Sequence, residues 1–265
     1  MAVISSSIAR LPTPVPSHPG ALALEAYATA SRELILSRAL LIRTDIKFLG
    51  LTAMLEPMLA VLCDHYAVIR VPGGCAARYD SVYFDTPELR CYHDHRRGRR
   101  LRHKVRIRHY TDRELTFLEL KSKRNLQITD KQRLALPFGT TELSLASRTF
   151  IAEHCDLAVD QLEPTLDNSF RRISLIGLHS PERVTIDLDL GFRRGGVEDA
   201  LADLCVVEVK QHPYQPHSPV LAALHAAGMR ERSLSKYTTA MARLVPGIRR
   251  NRLLPLLRTL DRIIA

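Results

Sequence analysis

Six segments of this chain carry a charge at every second position: Arg43, Asp45 and Lys47; Lys104, Arg106 and Arg108; Glu119, Lys121 and Lys123; Lys131 and Arg133; Asp187 and Asp189; Glu208 and Lys210. Between them stand apolar residues such as Ile46, Val105, Ile107, Leu118, Leu120, Ile186, Leu188 and Val209. A period of two belongs to a β-strand, whose side chains alternate between faces. Each strand therefore has one apolar and one charged face. The plain interpretation is a flat antiparallel sheet with its polar side in water. The sharper one is a rolled sheet. Charges two apart on a strand sit about 6.6 Å from each other, and crowded in a low-dielectric bore they repel unless carboxylates, a metal or a bound anion intervene. Acids do occur in the same registers: Asp45, Glu119, Asp187, Asp189 and Glu208. So many charged faces, backed by apolar faces and accompanied by helices, predict an α+β fold. In it an antiparallel barrel lines a polar tunnel, with helices packed on the outside.

The helical expectations are Ala21–Arg38, Leu51–Tyr66, a short helix opening at Thr86 with Pro87 at its first position, residues 140–162, and most of the chain beyond 217. "HYAVIRV" and "ARYDSVYFDT" read as strands paired around the turn "PGG". Tyr83 and Asp85 are expected to fix the end of that second strand and the following helix start. No internal repeat and no linker divide the chain. Residues 1–20 read as a disordered Pro- and Ser-rich segment, 21–246 as one tunnel domain, and 247–265 as a basic amphipathic C-terminal helix. In that helix Leu253, Leu256, Leu257, Leu260, Ile263 and Ile264 form one stripe. It would dock on the barrel; the alternative is a membrane surface or a membrane-protein partner.

The 38 Lys+Arg against 28 Asp+Glu, a net charge of +10, favour an anionic partner. Aromatic content of 6%, without Trp, argues against a base-stacking nucleic-acid platform. Five cysteines without a C-x-x-C pair look reduced and cytosolic, neither a disulfide frame nor a zinc site. No apolar run approaches the ~20 residues of a membrane helix, and the N-terminus lacks the features of a secretory signal. The expected location is cytoplasmic, at the inner face of a membrane if helix 247–265 meets one. His93, His95 and His103 read as part of a basic surface loop.

"RTDIKF", "SVYFDT", "KVRIRHY", "FLELKSK", "DKQRL", "TIDLDL", "VVEVK" and "SLSKY" occur in this order. Together they resemble the VTC domain, the polyphosphate polymerase branch of the CYTH or triphosphate tunnel metalloenzyme superfamily, over roughly residues 40 to 245. The resemblance implies an eight-stranded antiparallel tunnel that grips a triphosphate or polyphosphate. By position, Lys47, Arg106, Arg108, Lys121, Lys131, Arg171, Arg183 and Lys236 match the phosphate-gripping residues, and Glu208 the metal-binding glutamate. Lys104, Arg133 and Lys210 share faces with these. Arg171 and Arg172 cannot both point inward unless the strand is bulged; the motif alignment selects Arg171, although Ser169 stands where the family usually has Tyr. Ser233 or Ser235 could also cap a helix that begins at Lys236.

The implied activity is transfer of the γ-phosphate of ATP onto a growing polyphosphate chain, with Mn²⁺ or Mg²⁺ on Glu208 and possible help from Glu119, Asp187 or Asp189. Asp187 and Asp189 equally suit charge balance. A hydrolase of triphosphates in the same tunnel, and a non-catalytic sensor of polyphosphate or nucleotide, are the competing expectations.

Overall fold

A computed structural model describes residues 20–38, 43–123 and 129–264. The segment expected to be disordered, residues 1–20, lies outside the described residues except for Gly20.

Among the described residues the strands are β1 (Thr44–Leu51), β2 (Tyr66–Val68), β3 (Ala76–Asp85), β4 (Arg102–Tyr110), β5 (Leu115–Lys123), β6 (Thr129–Leu136), β7 (Glu163–Gly177), β8 (Glu182–Arg194), β9 (Val197–Leu201), β10 (Leu204–Gln211) and β11 (Arg230–Glu231). The helices are α1 (Ala21–Glu25), α2 (Arg32–Ser37), α3 (Leu55–Ala60), α4 (Arg90–Arg97), α5 (Leu145–His154), α6 (Pro219–Ala226), α7 (Lys236–Leu244) and α8 (Leu254–Ile264).

All the ladders are antiparallel and join into one 11-stranded sheet in the order β11-β1-β10-β8-β7-β3-β4-β5-β6, with β2 on β7 and β9 on β8. The expected α+β architecture is present. The expected closed eight-stranded barrel is not: among the described residues no ladder joins β6 to β1 or β11. The sheet nevertheless curls strongly. Lys104 of β4 donates to Ser235 Oγ at 2.9 Å and the adjacent Lys236 reaches Asp187 of β8, a strand three ladders away from β4.

The faces divide as the alternation demands. Phe48, Ile173, Leu175, Val184, Ile186, Leu188, Val207 and Val209 pack with Leu55, Met58 and Leu59 of α3 and Val220, Leu221 and Leu224 of α6 in one core. A second core joins Val105, Ile107, Leu118 and Leu120 to Cys91 and Tyr92 of α4, Ile151 of α5, Met241 of α7 and Leu257 and Leu260 of α8. Helices thus cover the apolar face. At about 25 cal/mol per Å² of apolar surface removed from water, that cover fixes the parity of every strand, because a one-residue slip would bury the charges.

Several boundaries differ from expectation. The first helix is broken in two, because Tyr27 is buried with its hydroxyl donating to Leu59 O at 2.7 Å and Ser31 caps α2 through Leu34 N. β2 pairs with β7, and β3 with β4 and β7; β2 and β3 do not pair with each other. The helix expected at Thr86 starts at Arg90, after Leu89 in the left-handed region at φ 58°. Its start is organised from a distance: the buried Asp85 carboxylate accepts from Thr86 N and Cys91 N, each at 2.8 Å, and Tyr92 N at 2.9 Å. Residues 140–162 contain only α5 and a short 3-10 turn, Val159–Gln161. The histidines are not a surface loop: His103 is 4% exposed, its ring held by Ser122 Oγ at 2.8 Å and Asp156 Oδ1 at 2.9 Å. All five cysteines are free thiols. The helix expected over 247–265 is α8, with Leu257 and Leu260 turned into the core. No helix among the described residues is long and apolar enough to cross a membrane.

Candidate functional site

The charged face of the curled sheet gathers side chains from eight strands and the start of one helix. β4 contributes Lys104, Arg106 and Arg108. Its partner β3 supplies Tyr83 opposite Arg106, Ser81 opposite Arg108 and Tyr79 opposite Tyr110. β5 adds Glu119 and Lys121, opposite Arg106 and Lys104, and β6 adds Arg133 and Lys131 across from those two. On the other arm of the sheet, Lys47 of β1 faces Glu208 of β10, and Lys210 faces both Asp45 and Arg183.

Three carboxylates balance part of this charge. Glu119 Oε2 accepts from Arg106 at 2.6 and 2.8 Å, and Oε1 from Tyr110 Oη at 2.8 Å. Burial would raise its pKa, but Arg106 and Arg108 outweigh burial and hold it near about 2. Asp187 accepts from Arg172 at 2.5 and 2.8 Å and from Lys236 Nζ; these cations overcome burial and hold it below the usual carboxylate range. Glu208 pairs with Lys210 Nζ at 2.7 Å and Lys47 Nζ at 3.5 Å, which depress it likewise against burial.

The lysines bear the opposite strain. Burial, then the charges of Lys121, Lys47, Arg106 and Arg102, push Lys104 well below the ordinary lysine range. Its Nζ donates to Ser235 Oγ at 2.9 Å. Burial and Lys131 bring Lys121 down to about 8. Burial, against the pull of Asp187, brings Lys236 to about 8. Lys131, Lys210 and Arg183 are lowered too, by burial first. Positive charge is therefore in excess, and a polyanion would relieve it.

A bulge decides between Arg171 and Arg172. On β8 both Asp189 and Leu190 stand against Phe170, where the β7–β8 register shifts between Ser169 and Arg171. Asp189 takes up φ 51°, a conformation an Asp tolerates. Arg172 faces Asp187 on the charged side; Arg171 lies opposite Leu188, which belongs to the helix-covered core, and reaches Asp189 at 2.5 Å. The alignment's choice of Arg171 is corrected to Arg172. The same bulge takes Asp189 off the row it was expected to share with Asp187.

Aromatic rings hold the cations in place, which composition alone had not suggested. Arg108, Arg172 and Lys236 lie 5.3, 5.2 and 4.4 Å from the Phe170 ring centroid. Tyr79 stacks on Phe170 at 5.1 Å, and Arg133 covers Phe117 at 5.0 Å. Arg106 Nη1 donates to Tyr83 Oη at 3.0 Å and Arg108 Nε to Ser81 Oγ at 3.0 Å. The period-two run Tyr79, Ser81, Tyr83 was the signal for these residues. Its polar members are uncharged and escaped a search for alternating charge. Ser235 caps α7 through Thr238 N, as expected, while Lys236 reaches Asp187 on the charged face.

Among the described residues no three His, Cys, Asp or Glu side chains come together to hold a metal. Glu119, Asp187 and Asp189 are engaged by arginines and lysines, so the expected carboxylate helpers do not gather around Glu208. Directly across from Glu208, however, the buried Thr185 Oγ1 has no hydrogen-bond partner. A carboxylate and an orphaned hydroxyl are hard oxygen donors. They fit a divalent cation whose remaining ligands are water and phosphate oxygens, as is usual for Mg²⁺.

Among curated protein sequences none matches the chain. Solved structures similar to it include a candidate adenylate cyclase from Bacillus halodurans (14% identity, TM-score 0.48, covering 77% of this chain and 97% of that one). Another is a candidate adenylyl cyclase from Hippeastrum described as having a dominant triphosphatase activity (12%, 0.47, 77% and 98%). A third is a candidate adenylate cyclase from Vibrio parahaemolyticus (9%, 0.45, 76% and 98%). The VTC domain model matches residues 42–245, most of the chain and all of the strands that build the charged face. The chain belongs to the VTC domain family.

Proposed function

We propose that this protein is a polyphosphate polymerase that transfers the γ-phosphate of ATP onto a growing polyphosphate chain on the charged face of its curled sheet. The observation that carries this reading is the excess of cations over carboxylates on the charged face of the sheet, from Lys47 and Lys210 to Arg106, Lys121 and Lys131. Arg106, Arg108, Arg172 and Arg183 offer planar forks for non-bridging oxygens, and Lys47, Lys104, Lys121, Lys131, Lys210 and Lys236 offer point charges.

Phosphoryl transfer depends on in-line positioning and charge neutralisation. A terminal phosphate oxygen of the chain attacks the γ-phosphorus of ATP; the new P–O bond forms as the bond to the β,γ-bridging oxygen breaks, and ADP leaves. A divalent cation held by Glu208, with Thr185 and the phosphates, would neutralise charge on the transferring group. The state of the carboxylates favours this acceptor over water. Glu119, Asp187 and Glu208 are each engaged by arginine or lysine side chains, so none of them stands free to take a proton from water. An anionic phosphate needs no base.

The test is incubation with ATP and Mn²⁺ or Mg²⁺, with and without a short polyphosphate primer, resolved by chain length. A lengthening ladder with matching ADP supports the polymerase; orthophosphate without a ladder would replace it by the hydrolase, and tight binding without turnover by the sensor.

A further inference from the structure

The inner row of β4 does not stop at Lys104. Two residues earlier on the same face stands Arg102, opposite Lys123 of β5, and Arg102 Nη1 donates to Arg99 O at 2.5 Å. From there the chain runs through the exposed Arg100 to Arg97 at the end of α4. A second basic segment closes over this one: Arg96 Nη1 donates to Asn251 Oδ1 at 2.7 Å, Arg252 Nη1 to Arg97 O, and Tyr92 Oη to Arg249 O at 3.1 Å. Asp94 sits at the edge and is already paired with Arg99 at 3.2 Å. Among the described residues no carboxylate pairs with Arg97, Arg100, Arg249 or Arg252. His95 of α4 ties this surface to the interior row, its Nε2 lying 3.1 Å from His103 O of β4.

We infer that this surface, formed by the end of α4 and residues 249–252, is an external track for the polyphosphate chain that leaves the interior row at Arg102. The inference rests on the polymerase reading of that interior. Charge complementarity and continuity select the occupant: a polyanion held inside at Lys104 and Arg106 meets unpaired arginines as soon as it emerges. A triphosphate is too short to use them. The track therefore adds affinity only for long chains, by raising the local concentration of a second contact.

The experiment compares binding of tripolyphosphate with binding of a polyphosphate of several tens of units, in the wild-type chain, in a triple variant Arg97→Glu, Arg100→Glu, Arg249→Glu, and in the same triple with Lys. All three positions are exposed. The expected result is a loss of about tenfold or more in long-chain affinity for the Glu variant, with a shallower salt dependence and tripolyphosphate affinity changed less than about twofold. The Lys variant restores the long-chain affinity. Equal losses for both ligands, or no loss for either, would overturn the track while leaving the interior reading intact. So would loss of binding to anionic phospholipid vesicles with long-chain affinity unchanged, since the patch would then be a lipid-facing surface. Failure of the wild-type chain to bind either phosphate would overturn the interior reading, and the track with it.

Discussion

At the scale of single residues, the site is a set of charges whose proton occupancy depends on what is bound. Lys121 and Lys236 sit at about 8, and burial with the neighbouring cations pushes Lys104 well below the ordinary lysine range. An anion that requires these lysines protonated should bind more weakly as pH rises from about 7 to 9. The unliganded fold moves the other way. Its lysine pKa values are depressed relative to the unfolded chain, so the unfolded state binds more protons and stability rises with pH through that window. Calorimetric titration with tripolyphosphate, beside thermal melts of the free protein at the same pH values, reads both signs; parallel trends would refute the assignment. Arg172→Ala should weaken tripolyphosphate binding about ten- to a hundredfold, the loss of a charge-assisted contact, whereas Arg171→Ala should change it by less than about threefold. Glu208→Gln should reduce turnover at least about a hundredfold while leaving polyphosphate binding equal or tighter, because it removes a negative charge from a cationic face.

At the scale of elements, strand faces were legible because a period of two has no helical counterpart and the helix-covered face fixes parity. Lys47, Lys104, Arg106, Arg108, Lys121, Lys131 and Glu208 followed from that alone. The bulge at Asp189 was not legible. It lies inside a clean alternation, "TIDLDL", with Gly191 beside the slip as a weak local hint, and the pairing of β7 with β8 is what reveals that Asp189 and Arg171 leave the row. Helix ends were misjudged for a related reason: they are set by tertiary contacts. Asp85 fixes the following helix start as expected, but at Arg90 and not Thr86, accepting from three backbone N–H groups and from the Tyr237 hydroxyl of α7 at 2.5 Å. Asp85→Ala should therefore cost about 3 kcal/mol, more than an ordinary cap, since it orphans several buried donors at once. Urea unfolding measures this; a loss under about 1 kcal/mol would show that the hub is dispensable.

At the scale of the whole molecule, the curvature that makes a site from a sheet depends on contacts between strands remote in sequence. Alternation predicted a polar bore but could not specify whether the two arms meet in a ladder. They do not, among the described residues, and the charges of β1, β5, β6 and β10 converge across the gap. α8 shows the same dependence on context: its apolar stripe is amphipathic enough for a membrane surface, yet Leu257 and Leu260 are turned into the protein's own core. The proposed function is that this surface holds a phosphate chain and lengthens it. The most direct test follows the labelled γ-phosphate of ATP, in the presence of Mn²⁺ and a short polyphosphate primer, into its product. The account predicts that the label enters chains longer than the primer, in step with ADP; label recovered only as orthophosphate would contradict it.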